Sequence, residues 1–131
     1  MVIDSSAIVA AITGEPDSEI FRNALRQPGP LSMSSVAVLE TRIVLTARLG
    51  PAGAALFDML LANAAIEIVP FDAPLADLAY AAVRRFGKGQ GHPAQLNIID
   101  CAVYALARSR GEPLLFKGAD FAQTDVIAAL A

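Results

Sequence analysis

Short apolar runs alternate with helix-length segments along the chain, and this alternation restricts the possible folds more than any other feature. The runs are MVID (1–4), LSMS (31–34), IEIVPF (66–71) and PLLF (113–116), with VIAAL (126–130) as a further candidate strand. Strands that are separated by helices pair in parallel, because parallel neighbours need long crossover connections. The sequence therefore predicts a three-layer α/β/α fold around a central, mainly parallel sheet of four to five strands.

Helix signals fill the segments between these runs. Apolar spacing and helix-end residues predict helices over residues 5–14, 16–27, 36–49, 52–65 and 74–86, followed by one that contains Asp100 and ends at Arg110. Ser34 or Ser35 is positioned to cap the third helix, and Asp72 the fifth. At 131 residues, with neither repeats nor a long linker, the chain is expected to form a single domain over residues 1–131.

The composition excludes several classes of protein. More than half of the residues are hydrophobic, yet no uninterrupted apolar run approaches the ~20 residues that a membrane span needs. Nor does the N-terminus carry the basic and apolar regions of an export signal, so a cytoplasmic protein is expected. The single cysteine, Cys101, excludes an internal disulfide and a cysteine-based zinc site, and is interpreted as a small buried side chain.

Three carboxylates stand alone in apolar sequence: Asp4, Glu40 and Asp100. An ionised carboxylate that leaves water costs several kcal/mol unless it finds a proton, a cation or a metal ion. Asp4 ends the first predicted strand, and Asp120 follows the PLLF strand by a few residues. In open parallel sheets ligands bind beyond the carboxyl ends of the strands, so the four acids are expected to converge at that edge.

A cluster of four carboxylates requires cations to remain ionised. Two such charges ~4 Å apart repel by about 4 kcal/mol at an effective dielectric constant near 20. Hard oxygen ligands, without a cluster of cysteine or histidine, favour Mg²⁺ or Mn²⁺ over zinc. Either one or two ions would suit hydrolysis of a phosphodiester.

Each acid also has a structural interpretation. Asp4 precedes two serines and can cap the first helix, Asp120 can open a turn, and Glu40 can pair with Arg42. Asp100 fits a structural interpretation least well, because aspartate is unfavourable within a helix and no cation follows it one turn later.

Four segments together resemble the PIN-domain ribonucleases that act as VapC toxins of bacterial toxin–antitoxin systems. They are MVIDSSAIVAAITGEP, SSVAVLE, FGKGQGHPAQLNIIDCAVYALA and EPLLFKGADFAQTD. Each motif alone is weak, but the four in this order and spacing are specific. The resemblance covers nearly the whole chain and is weakest over residues 50–80.

The resemblance implies an activity and a set of site residues. Asp4, Glu40 and Asp100 match acids that bind Mg²⁺ or Mn²⁺, Asp120 in GADF matches the fourth, and Ser6 matches a small hydroxyl residue that orients water or a phosphate oxygen. The implied activity is a metal-dependent endoribonuclease toxin that cleaves RNA, such as tRNA or rRNA, with a metal-activated water. Family members typically form homodimers and are inhibited by a VapB antitoxin.

The chain departs from the family pattern at two places. Many relatives carry TxDxDF where this sequence has FKGADF, which leaves either Asp120 or Asp125 as the fourth acid. A glycine is also common before the third acid, where this chain has Ile99. The second departure changes packing but removes no ligand.

The acidic net charge does not exclude a nucleic-acid partner. The net charge is −3, but if four of the thirteen acids bind metal, nine remain against ten lysines and arginines. The loop FGKGQGHP lacks the hydroxyl residue of a phosphate-binding P-loop, and is either a simple connection or an RNA-contacting loop. The expected phosphate contacts are Arg84, Arg85, Lys88 and Lys117, whereas His92 is interpreted as a loop residue and not as a general base.

Two other functions are compatible with parts of the sequence. A receiver-type signalling domain shares the length, the layering and an acidic Mg²⁺ site, but it would carry an acid pair where this chain has DSS. An inert PIN-like binding module would keep the fold without turnover. The apolar helices between residues 34 and 65 exceed the need of one core, so a dimer interface is expected there.

Overall fold

The computed structural model of the chain describes residues 1–130, and it contains a four-stranded parallel sheet. The strands are β1 (Val2–Ile3), β2 (Ser32–Ser34), β3 (Glu67–Val69) and β4 (Leu114–Leu115). Their order is β3-β2-β1-β4, and every pair is parallel. The predicted α/β/α fold with a parallel sheet is confirmed.

Six α-helices connect and flank the strands within residues 1–130. They are α1 (Ser5–Thr13), α2 (Ser18–Arg26), α3 (Ser35–Leu49), α4 (Pro51–Asn63), α5 (Ala73–Phe86) and α6 (Ile98–Arg110). All six were expected from the sequence. Gly14 ends α1 in the left-handed conformation, with φ +69°. Asp72 caps α5 as predicted, because its Oδ1 accepts a hydrogen bond of 3.1 Å from the backbone N–H of Leu75.

The strands are shorter than the apolar runs, because helices begin directly after them. β1 ends where Asp4 caps α1, and β2 runs straight into α3. Ser34 occupies the N-cap position of α3, but its hydroxyl makes no capping hydrogen bond. The Ser35 hydroxyl instead accepts a bond of 3.1 Å from the N–H of Phe71, which ties the loop after β3 to the start of α3.

The predicted fifth strand at 126–130 is reduced to one parallel bridge between Leu114 and Ala128. The N–H of Leu114 donates to Ile127 at 2.8 Å, and the N–H of Ala129 donates back to Leu114 at 2.9 Å. This bridge covers the outer edge of β4, which would otherwise expose unpaired backbone groups.

The centre of the sheet is fully buried. Val2, Ile3, Leu114 and Leu115 have no solvent exposure, as expected for strands covered on both faces. Cys101 is also buried and free, and burial, followed by the charge of Asp100, raises the pKa of its thiol to about 11. This supports its interpretation as a packing residue. Over residues 1–130, no helix has both the length and the apolar character needed to cross a bilayer.

Helices α3 and α4 pack closely at Gly53. A Cβ atom at this position would lie 2.4 Å from the carbonyl oxygen of Leu45 and 3.1 Å from the Cβ of Leu49. The backbone of α4 therefore approaches α3 at a distance that only glycine permits.

Gly53→Ala is expected to destabilise the protein, although alanine is the better helix former by about 1 kcal/mol. The added methyl group forces α3 and α4 apart, at a cost of about 1–3 kcal/mol in the free energy of unfolding. Urea unfolding of the variant measures this change. Ala55→Gly, at an exposed position of the same helix, measures the effect of helix propensity without a change in packing. A more stable Gly53→Ala variant would show that the two helices can separate freely.

Candidate metal centre

Asp4 is the most buried acid in the described structure. It follows β1 directly, its side chain is 4 % exposed, and its backbone N–H donates to Leu115 on β4 at 2.9 Å. Its Oδ2 accepts a bond of 3.0 Å from the N–H of Ser6, so the expected helix cap is present. Its other oxygen, Oδ1, is buried without a hydrogen-bond partner in residues 1–130. The helix cap therefore explains the position of one carboxylate oxygen and leaves the other without a partner.

Glu40 reaches the same region from the second turn of α3. Its Oε1 accepts a hydrogen bond from the hydroxyl of Ser5, the first residue of α1. The alternative ion pair with Arg42 does not form, since Arg42 pairs with Asp58 on α4 at 3.2 Å. Glu40 is thus directed toward the end of β1 and not toward a surface cation.

Asp100 lies in the first turn of α6, and the expectation that it sits in mid-helix without a local partner was wrong. Asn97 and Asp100 form a capping box: the Asn97 side chain accepts from the N–H of Asp100 at 2.9 Å, and Asp100 Oδ2 accepts from the N–H of Asn97 at 3.0 Å. Aspartate is favourable at this end of a helix, because the N–H groups and the helix dipole attract negative charge.

The two candidates for the fourth acid have different surroundings. Asp120, directly before a short 3₁₀ helix (Phe121–Gln123), is close enough for its charge to raise the pKa of Asp100. Asp125 instead accepts a bond of 2.6 Å from the hydroxyl of Tyr104, and pairs with Arg85 at 3.1 Å and Arg108 at 3.9 Å. Asp125 is therefore engaged with side chains of α5 and α6. This favours Asp120 as the fourth acid of the cluster.

Burial and neighbouring acids raise the pKa values of Asp100 and Asp4. Burial is the largest cause that raises the pKa of Asp100, to about 6, and the charges of Asp4, Glu40 and Asp120 raise it further, against the hydrogen bond from Asn97. The pKa of Asp4 is also raised, by burial first and more weakly by Glu40, while hydrogen bonds from Ser6 oppose the shift. The four candidates thus form one electrostatic cluster, although they come from four separate parts of the chain.

The donor atoms of this cluster are carboxylate oxygens, which suit a hard divalent cation. Its side chains, however, are not arranged around a common point. Within residues 1–130, no three Asp, Glu, His or Cys side chains are grouped as metal ligands. Glu40 accepts a hydrogen bond from Ser5, and Asp100 accepts one from the N–H of Asn97. Each commits one oxygen, so a second remains, and the unpartnered Oδ1 of Asp4 has the chemistry that Mg²⁺ or Mn²⁺ prefers.

Ser6 and Lys117 lie beside the carboxylates. The Ser6 hydroxyl accepts a bond of 2.9 Å from the backbone N–H of Lys117, while its own N–H donates to Asp4. The amine of Lys117 is not free, because it pairs with Glu15 and, at 3.1 Å, with Asp17.

The other predicted RNA contacts lie at the end of α5. Arg84, Arg85 and Lys88 are exposed there, and the bridge between Gly87 and Leu96 places this end beside the start of α6. Arg85 pairs with Asp125, so of the three it is the one engaged in an ion pair within residues 1–130. His92 lies in the loop, accepts from the N–H of Ala94 at 3.1 Å and packs edge-on against Phe86 at 4.9 Å.

The sequence did not reveal several residues that position the acids. Ser5, Asn97, Glu15 and Tyr104 contact the candidate residues and were not singled out. The N-x-x-D spacing of Asn97 and Asp100 is a capping-box signal that identifies this pair. The other contacts join residues distant in sequence, for which a single sequence carries no local signal.

Comparison with known proteins gives a family match over nearly the whole chain. The PIN domain family matches residues 1–127. A ribonuclease VapC of Mycolicibacterium smegmatis is 48% identical over 128 residues, which is 98% of either chain.

Solved structures share the fold at low sequence identity. VapC20 of Mycobacterium tuberculosis, described as a sarcin–ricin loop cleaving toxin, superposes with a TM-score of 0.80 at 17% identity, over 96% of this chain and 95% of the other. A toxin–antitoxin complex from Klebsiella pneumoniae contains a chain with a TM-score of 0.73 at 15% identity, over 97% and 94% of the two chains.

Removal of the charge of Asp100 is expected to change how stability depends on pH. An acid whose pKa rises from its ordinary value of 3.8 to about 6 on folding contributes stability at low pH that is lost as the pH rises through 6. Without metal, the free energy of unfolding of the native protein should therefore fall relative to that of Asp100→Asn between pH 4 and 7, by at most about 3 kcal/mol. Urea unfolding in EDTA over this range measures the difference.

Asp77→Asn, at an exposed acid of α5 outside the cluster, should show the same dependence of stability on pH as the native protein. Mg²⁺ at pH 7 should stabilise the native protein more than Asp100→Asn. If the free energies of unfolding of the native protein and Asp100→Asn changed in parallel with pH, the electrostatic cluster would be contradicted.

Proposed function

The chain belongs to the PIN-domain family, among the VapC ribonucleases, and from this we propose that it is a metal-dependent endoribonuclease toxin. The observation that carries this proposal is the carboxylate of Asp4, buried at the end of β1 with one oxygen unpartnered. Glu40 and Asp100 lie near it, and Asp120 lies near Asp100. Such an arrangement is unfavourable for folding alone, and a bound cation would remove the penalty. Membership of this family excludes the receiver-type alternative.

Asp4, Glu40, Asp100 and Asp120 would hold Mg²⁺ or Mn²⁺ through carboxylate oxygens. When bound, the cation would lower the pKa of a water molecule and offset charge on the leaving oxygen of the phosphodiester. The protein would contribute orientation: Ser6 fixes one oxygen of Asp4, Ser5 fixes Glu40, and the capping box sets the carboxylate of Asp100.

The RNA would approach over the surface that carries the exposed cations. Arg84 and Lys88 stand at the end of α5 beside the start of α6, and Ser6 and Lys117 lie at the carboxylates themselves. Arg85 would take part only after it releases Asp125. Such contacts with phosphates provide affinity without selecting a base sequence, so tRNA and rRNA both remain candidate substrates.

We further propose a VapB-type antitoxin partner, a homodimer and a cytoplasmic location. The structural neighbour within a toxin–antitoxin complex supports a partner of this kind. Exposed large apolar side chains on α3 and α4 support a dimer: Leu39, Ile43, Leu56 and Met59 are each 47–61% exposed. These residues lie within the region 34–65 that the sequence predicts as an interface.

Purified protein is expected to cut a mixed pool of tRNA and rRNA into discrete fragments with Mg²⁺ or Mn²⁺, and to leave it intact with EDTA. Asp100→Asn and Asp4→Asn should each abolish cleavage while the protein stays folded, because they remove ligands and relieve repulsion between like charges. Gel analysis of the RNA, with circular dichroism of each variant, measures both effects. RNA that stays intact with the native protein and metal would favour an inert PIN-like module.

The fourth acid can be identified in the same assay. Asp120→Asn should reduce cleavage strongly, whereas Asp125→Asn should retain most of it, because Asp125 is engaged with Tyr104, Arg85 and Arg108. The reverse ranking would assign the fourth position to Asp125.

Lys88→Ala and Arg84→Ala are expected to weaken RNA binding without removing the capacity for cleavage. Each lost phosphate contact should reduce the slope of log affinity against log salt by about 0.7 for single-stranded RNA. Fluorescence anisotropy in EDTA at several salt concentrations measures the slope. An unchanged slope for both variants would place the RNA path elsewhere.

A further inference from the structure

A cavity of about 440 Å³ lies beside the carboxylate cluster. Its lining residues are Ser5, Ser6, Val9, Glu15, Val44, Arg48 and Lys117. The two serines connect it to the cluster, since Ser5 donates to Glu40 and Ser6 donates to Asp4. An anion in this cavity would therefore sit next to the proposed metal ligands.

Two cations in the cavity meet on a single acid. Lys117 pairs with Oε2 of Glu15, and Arg48 approaches Oε1 of the same carboxylate at 3.4 Å. Lys117 lies just after β4 and Arg48 lies in the last turn of α3, so distant parts of the chain supply the two charges. Each oxygen of Glu15 thus faces its own cation.

We propose that this cavity binds a backbone phosphate of the RNA, and that Glu15 occupies the place of that phosphate in the free protein. A phosphodiester presents two charged oxygens, as a carboxylate does, and arginine and lysine are the side chains that bind phosphate. The inference rests on the proposed function, because it takes RNA as the substrate. Arg48 then becomes a substrate-binding residue, and Glu15 an internal competitor.

Glu15 is placed so that an incoming phosphate can displace it. It lies in the connection between α1 and α2, after Gly14, so its movement does not unwind either helix. The side chains of Glu15, Lys117 and Arg48 are 26%, 37% and 54% exposed, and ion pairs at such positions are weak. Asp17 pairs with Lys117 at 3.1 Å and would hold the amine in place while Glu15 leaves.

If Glu15 competes with an RNA phosphate for Lys117 and Arg48, substitutions of the acid and of the cations should have opposite effects on RNA affinity. Glu15→Gln should tighten binding of single-stranded RNA by about 1.5-fold to fivefold, the range of one exposed ion pair. Lys117→Ala and Arg48→Ala should weaken it by a similar factor, and each should reduce the salt slope by about 0.7. Lys117→Arg should retain the native affinity, because it keeps the charge.

The matched control is the ion pair between Glu67 and Arg110. Its two bonds are both 3.2 Å, and it lies where β3 begins and α6 ends, at the opposite edge of the sheet from the carboxylates. Glu67→Gln and Arg110→Ala make the same changes in net charge as Glu15→Gln and Arg48→Ala. They should leave RNA affinity and the salt slope close to those of the native protein.

The experiment is fluorescence anisotropy of a labelled single-stranded RNA with the full chain in EDTA, so that it does not depend on cleavage. Tighter binding by Glu15→Gln than by Glu67→Gln, together with weaker binding by Arg48→Ala than by Arg110→Ala, supports the phosphate site. The proposal is overturned if Glu15→Gln binds RNA more weakly than the native protein, or if the Glu15 and Arg48 variants bind with the same affinities as the Glu67 and Arg110 variants. Glu15 would then be only a structural partner of Lys117.

Steady-state kinetics separate this inference from the proposed function. If the native protein cleaves RNA, Lys117→Ala and Arg48→Ala should raise KM with little change in kcat, since the site binds a phosphate that does not react. A large loss of kcat at unchanged KM would overturn the binding role. Absence of cleavage by the native protein would contradict the nuclease while the binding comparison in EDTA still tests the cavity.

Discussion

Asp4 directly follows β1, a strand with neighbours on both sides, and the elements around this point must accommodate its buried carboxylate. β1 pairs with β2 on one side and β4 on the other, and its two residues have no solvent exposure. The residue that follows such a strand emerges inside the protein, so a carboxylate there must be stabilised by its neighbours. The start of α1 supplies N–H donors for one of its oxygens, and the other oxygen has no partner in the described chain. The fold thus tolerates an incompletely satisfied charge at its centre, which is typical of a functional site.

Structural and functional roles coincide in the acids of this cluster. Asp4 is a helix cap and Asp100 belongs to a capping box, yet burial raises the pKa of each. The charge of Glu40 raises the pKa of Asp4 further, and the charges of Asp4, Glu40 and Asp120 raise that of Asp100. A carboxylate has two oxygens, so one can fix the orientation of the side chain through the backbone while the other stays available. Caps at the first turn also place these acids where the partial positive charge of the helix moderates their repulsion.

The sequence predicted the elements well, but not the contacts that orient the four candidate acids. The parallel strands, the six helices and the cap at Asp72 follow from local patterns, and the expectation that Asp4 and Asp120 lie at one edge of the sheet follows from the parallel arrangement. The order of the strands was not predicted. The contacts of Ser5 with Glu40, Tyr104 with Asp125, and Lys117 with Glu15 span 35, 21 and 102 residues. Such pairs are decided by tertiary packing. The capping box is the exception, since its N-x-x-D spacing is local and readable.

The distribution of charge explains how an acidic protein can serve an RNA substrate. The chain has a net charge of −3, but many of its acids are paired: Glu15 and Asp17 with Lys117, and Asp125 with two arginines. Negative potential is also expected at the carboxylate cluster, where Asp4, Glu40 and Asp120 act on Asp100 and a phosphate would be repelled. A divalent cation held there would neutralise most of that potential, so metal binding and RNA binding would favour each other. The same carboxylates that repel the substrate in the free protein would then attract it through the metal, and the net charge of the whole chain would matter little.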